Sequence, residues 1–111
     1  MSKAFKLNKS QISQIVHGMG GCLATDRIVV DGAKVGYMYR EGPANPLDSG
    51  WRFFAGDEDE AYMRNADQHG VYDVNTIANY DAAIVPFLSD AIGSRFERDE
   101  DGSFRKLRPD E

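Results

Sequence analysis

Residues 48–57, D-S-G-W-R-F-F-A-G-D, constrain the fold more than any other stretch. They hold the only Trp and two of the six Phe, bracketed by Gly50 and Gly56. Residues 51–55 read as a strand. Alternation puts Trp51, Phe53 and Ala55 on one face, and Arg52 and Phe54 on the other. An aromatic on each face needs cover on both sides, which suits a central strand better than an edge.

The rest of the chain has to supply that cover. Its 111 residues make one domain, expected to run over 1–111 with loose ends at 1–7 and 108–111. A chain of this size buries roughly 65% of its unfolded surface, enough for one core without covalent staples. Hydrophobic residues at 41% and aromatics at 11% argue against disorder. The single cysteine, Cys22, excludes an intramolecular disulfide and points to a reducing compartment. The amino terminus has no apolar stretch of the secretory kind, and no run approaches the length of a membrane span. A cytoplasmic protein is expected, with no membrane partner.

Along the chain, Asn8 or Ser10 can cap a short helix over 11–17, stopped by Gly18, Gly20 and Gly21. Residues 22–25 read as a first strand. Residues 27–30 and 34–39 flank Asp31-Gly32, a strong hairpin signal. In the second of these runs Val35, Tyr37 and Tyr39 share one face, and Gly36 and Met38 the other. Asp57 can cap a helix over 58–64, with Glu60 in the reciprocal position and Tyr62 and Met63 turned inward. Val71, Tyr72 and Val74 suggest a short strand, followed by a helical turn from Asn75 or Thr76. Asp81 can cap a second short helix, which Pro86 limits to one or two turns, 3-10 in character. Residues 93–98 and 103–107 form a last hairpin. The expected class is α+β: a mostly antiparallel sheet with short helices packed on it.

Reactive constellations are sparse. Cys22 with His17 or His69 would need a thiol of lowered pKa beside an imidazole, yet Cys22 opens an apolar strand and reads as a core thiol. The same three residues match no metal-ligand spacing, and His17 reads as a helix C-terminal residue. Glu97-x-Asp99-x-Asp101-Gly102 imitates the front of a calcium loop. Its twelfth position is Arg108, where the loop needs a bidentate Glu, so a turn is the better reading. H-G-M-G-G at 17–21 lacks the Lys-Ser/Thr of a phosphate loop and reads as a helix stop. No catalytic set, metal or cofactor is expected.

The net charge of −5 disfavours nucleic acid and favours a basic protein partner. Four successive carboxylates, Asp57, Glu58, Asp59 and Glu60, follow the aromatic strand. They can present an acidic hook to such a partner, or simply complement a helix dipole. Tyr37, Tyr39, Arg40 and Glu41 form a second aromatic-plus-charge patch, read as core and rim.

Four strings carry a resemblance: G-C-L-A-T-D-R-I-V-V-D-G-A-K-V-G-Y-M-Y-R-E at 21–41, D-S-G-W-R-F-F-A-G-D-E at 48–58, V-Y-D-V-N-T-I-A-N-Y-D at 71–81 and G-S-R-F-E-R at 93–98. Over roughly residues 20–100 the chain resembles the immunity protein 33 domain family of bacterial polymorphic toxin systems. The resemblance implies a small cytoplasmic domain that neutralises a cognate toxin by binding and blocking it. It brings no binding residues with it. Trp51, Arg52, Asp57, Glu58, Asp59 and Glu60 are the interface expected from the residues themselves, in a monomer or weak dimer. The alternative is a protein- or small-ligand-binding module with no toxin partner. An enzyme built on Cys22, a His and a carboxylate ranks last.

Overall fold

The structure, a computed structural model, describes residues 3–109. The expected loose ends at 1, 2, 110 and 111 lie outside the described residues. Six strands form one sheet: β1 (Gly21–Thr25), β2 (Tyr37–Arg40), β3 (Asp48–Phe54), β4 (His69–Asp73), β5 (Arg95–Arg98) and β6 (Phe104–Lys106). Their spatial order is β4-β1-β3-β2-β5-β6, with β3 in the interior as its two-sided aromatics require. Every pairing is antiparallel except β1 with β3. The class is α+β, a mostly antiparallel sheet with short helices.

The helices are α1 (Asp26–Val29), α2 (Glu60–Arg64) and α3 (Val74–Tyr80), with 3-10 turns at Lys9–Gln11, Ala66–Gln68 and Ala82–Phe87. The last contains Pro86 and is capped by Asp81, whose carboxylate accepts from the Ala83 amide at 3.1 Å. Trp51 and Phe53 of β3, Met38 of β2 and Phe96 of β5 share one sheet face. That face closes the core with Ile28, Val29, Ile77 and Ile84. Trp51 donates its indole N–H to the Leu88 carbonyl at 3.1 Å, so its one polar atom is satisfied inside.

Between Gly21 and Leu23 of β1 the partner positions on β3 jump from Asp48 to Arg52. The excess is a bulge at Ser49–Gly50. Gly50 lies at φ 91°, and a Cβ there would sit 2.1 Å from the Glu41 carbonyl oxygen, so only glycine fits. In a regular strand, residues four apart stand roughly 13 Å apart. The bulge shortens that span and brings Asp48 onto Arg52.

Several expected elements differ. Residues 27–34 form no hairpin. Asp26 opens a helical turn, and Gly32, at φ 81°, ends it while donating its N–H to the Ile28 carbonyl at 3.1 Å. Asp-Gly serves a helix end as well as a hairpin, because both need positive φ. Val35 does not share a face with Tyr37 and Tyr39: it lies before β2, fully buried in the core.

No helix spans 11–17, so His17 is not a helix C-terminal residue. Asn8 heads only the three-residue 3-10 turn. Beyond that turn the chain is tied to α3 by side-chain amides. Asn75 Oδ1 accepts from Ile15 and Val16 N–H at 2.8 and 2.9 Å, and Asn79 Oδ1 accepts from Ser13 N–H at 2.9 Å. These bonds replace the ones a helix would have made. The glycines at 18–21 therefore stop no helix. Gly20, at φ 91°, brings the backbone against Leu47, and Gly21 donates to the Leu47 carbonyl at 2.7 Å as β1 begins. The described part of the lead-in is tied down too. Lys6 N–H donates to the Val29 carbonyl at 2.7 Å, and Leu7 N–H to the Tyr80 hydroxyl at 3.0 Å.

Candidate functional site: the open face of the sheet

Opposite the core, the second face of the sheet carries Leu23, Val71, Arg52, Tyr39, Tyr37 and Phe54. No core helix lies on this side. Its flank is α2, which buries none of its residues. Val71 is 75% exposed and Leu47, on the adjoining loop, 81%. With Leu23 they border a shallow groove of about 450 Å³ that runs to Arg52 and Asp73. Tyr37, Tyr39 and Phe54 form a half-buried ring cluster. Centroids lie 5.8–5.9 Å apart, and Tyr39 is nearly parallel to Phe54. Burial, with the nearby Glu41 carboxylate second, raises the Tyr39 phenol above its usual range, so it stays a neutral donor at physiological pH.

Arg52 anchors the centre. Its guanidinium forks onto Asp48 at 2.9 and 2.7 Å, and Nε donates to Glu41 at 2.7 Å. Asp48 also accepts from the amides of Ala44 at 2.7 Å and Gly50 at 3.0 Å. Charge-assisted bonds from Arg52, reinforced by those amides, hold the Asp48 carboxyl well below the usual carboxylate range. Arg52 itself is buried. It orders the face, and Glu41 is the exposed end of the triad.

The expected interface residues divide. Trp51 is completely buried on the core face, so it offers no contact surface and instead seats Arg52 from behind. The acidic run lies at the α2 end of the open face, and each of its carboxylates has an intramolecular partner. Asp57 forks onto Arg27 at 3.1 and 2.6 Å. Glu58 accepts from the amides of Ala55 and Gly56, both at 2.8 Å, and from the Thr25 hydroxyl at 2.5 Å. Asp59, not Asp57, is the N-cap of α2, accepting from Tyr62 N–H at 2.7 Å, and Glu60 pairs with Arg64. The cap sits two residues later than expected, and Asp57 is paired with Arg27 instead. Met63 does not turn inward, being 39% exposed beside the ring cluster. Sequence reasoning missed the trio Tyr37, Tyr39 and Phe54 as one surface. The signal was present as alternation in two strands, and needed only their pairing. Arg40 is not on this face: it staples the core-side rim, donating to the carbonyls of Ser49 and Asp90, each at 2.9 Å.

The sparse reactive groups do not converge. Cys22 points into the core, while His69, paired with Thr25, lies on the opposite face with its ring against Tyr62. Burial above all, then the Asp73 carboxylate, pushes the Cys22 thiol far up from its usual value. Iodoacetamide should therefore leave Cys22 unmodified in the native protein at pH 8 and alkylate it fully in urea. Mass spectrometry reads the difference, and rapid native labelling would contradict the buried placement. Residues 99–102 form the β5–β6 turn, in which Asp101 accepts from Ser103 N–H at 2.9 Å. Among the described residues no helix is long and apolar enough to cross a membrane.

No curated protein and no solved structure matches this chain at a significant level. A family model does: the immunity protein Imm33 domain, over residues 22–108, which takes in all six strands but the first residue of β1. The chain therefore belongs to the immunity protein Imm33 domain family.

Proposed function

We propose that this protein is a non-enzymatic, cytoplasmic immunity protein that docks the open face of its sheet onto a protein toxin and blocks it. The observation that carries the reading is the asymmetry of the sheet. One face is sealed by helices. The other leaves Leu23, Leu47 and Val71 exposed beside the half-buried Tyr37 and Tyr39, and tyrosine is among the residues enriched in binding hot spots. Exposed apolar surface of this kind marks interaction sites in soluble domains. Glu41, Glu58, Asp73 and Glu97 surround it, and Asp57, Asp59 and Glu60 extend the acidic margin. A basic partner would be steered to such a rim and held by the apolar centre. Arg52 and Asp48 keep the surface pre-ordered, which reduces the entropy lost on docking. The groove beside Leu23 supports a second reading, a small-ligand module. That reading predicts a metabolite that raises the melting temperature without any protein partner.

The test uses three baits in lysate of the native host: the intact protein, a variant with Leu23→Asp and Val71→Asp, and a variant with Asp57, Glu58, Asp59 and Glu60 all changed to Lys. Each is first checked for an intact amide spectrum. The expected result is one protein retained by the intact bait, lost by the first variant and weakened by the second. That protein should arrest growth when expressed alone and not when co-expressed with the intact chain. Undiminished capture by the Leu23/Val71 variant would move the interface off this face.

A further inference from the structure

The open face has a pocket of about 330 Å³ between Tyr37, Tyr39, Phe54, Glu58 and Met63. We propose that this pocket receives the guanidinium of an arginine side chain projecting from the partner. The proposal deepens the docking reading above and rests on it.

Three observations converge. The rings come from neighbouring strands, Tyr37 standing directly opposite Phe54, and are partly exposed where they line the pocket. Aromatic faces attract cations, and a planar guanidinium stacks on them better than a compact ammonium. Next, the one carboxylate in the wall is fixed in place. Glu58 is held by two backbone amides and the Thr25 hydroxyl, while Oε1 accepts only from Gly56 among these and retains a lone pair. A carboxylate already ordered loses little entropy on taking another donor. Finally, none of the lining residues is Lys or Arg. The neighbouring arginines are committed elsewhere: Arg40, next to Tyr39, to the Ser49 and Asp90 carbonyls, Arg64, next to Met63, to Glu60, and Arg52, opposite Tyr39, to Asp48 and Glu41. The pocket thus has an anionic, aromatic lining and no cation of its own. Met63 supplies a pliable fourth wall suited to an alkyl stem.

The probe is N-acetylarginine amide, titrated into the isotopically labelled intact chain and followed by amide chemical shifts. N-acetylcitrulline amide, the same shape without the charge, is the control. Saturable shifts should appear at Tyr37, Tyr39, Phe54 and Gly56, and binding of the citrulline compound should be about tenfold weaker, the scale of one desolvated cation–π contact. Tyr39→Leu should abolish the arginine shifts. Met63→Lys should do the same by placing a cation at the rim, and its exposed site makes it the safer variant for folding. Equal response to both compounds, shifts confined to α3 or the 3-10 turns, or no shifts at all would overturn the proposal. Because no partner is present in this titration, its failure leaves the capture result standing. Failed capture beside a successful titration counts against the docking reading alone.

Discussion

Trp51→Ala should destabilise the protein by about 3–5 kcal/mol, the range for removing a large aromatic from a closed core. A domain of this size has roughly 5–15 kcal/mol to lose, so the variant should be marginal at 37 °C. The cause is position. Trp51 is completely buried, packs on Phe53 at 6.0 Å and Phe96 at 6.2 Å, and lies beneath the Arg40 guanidinium. A cavity there opens under the strand to which both β1 and β2 are paired, so the surroundings cannot collapse cheaply. Trp51→Phe should lose less, about 1–3 kcal/mol, because the smaller ring leaves a smaller void and the Leu88 carbonyl keeps only its longer bond from Arg40 at 3.5 Å. Urea unfolding followed by far-UV circular dichroism reads both. An alanine variant within about 1 kcal/mol of the parent would contradict the core placement.

The second large effect is Arg52→Met, expected to cost about 2–4 kcal/mol because it leaves the largely covered Asp48 carboxylate, 10% exposed at its side chain, with only the Ala44 and Gly50 amides as partners. Glu41→Gln should change stability by about 0–1 kcal/mol, since Glu41 is half exposed and solvent screens it. Arg52 also writes a pH signature. The Asp48 carboxyl is held below its unfolded value, near about 3.9, so the folded state favours the ionised form. That stabilisation is complete above the unfolded value. It drains away as pH falls through about 4 and on down towards the folded value. Urea midpoints measured from pH 7 to pH 2 should therefore fall more steeply below pH 4 in the parent than in Arg52→Met. Parallel curves would mean that the pair does not titrate with folding.

What could be read from the chain follows the range of the interactions involved. β3, the Pro86 turn and the β5–β6 hairpin depend on near neighbours: alternation, a cap, a missing N–H and a turn. They stand where local chemistry puts them. Residues 11–17 carry helical spacing, but their hydrogen bonds go to Asn75 and Asn79, about sixty residues on, and no local rule contains that. Asp31-Gly32 satisfies two local rules at once, and the burial of Ile28 and Val29 against α3 decides for the helix. The candidate site divides in the same way. That Trp51 and Arg52 face opposite sides was legible from alternation. Which side is sealed was not, because it depends on where α1, α3 and the 3-10 turn dock. The acidic run was legible as charge, but its local commitments were not: Asp57, Glu58, Asp59 and Glu60 have Arg27, backbone amides, a helix cap and Arg64 as partners.

Side-chain oxidation footprinting of the protein, free and bound to its captured partner, tests the open-face interface most directly. Leu23, Tyr39, Leu47 and Val71 should lose most of their reactivity in the complex. Phe5 and Ile15, which are exposed beside the α3 side of the molecule, should be unchanged. Protection of Phe5 and Ile15 with Leu23, Leu47 and Val71 still reactive would contradict the account, and would place the interface on the helical side.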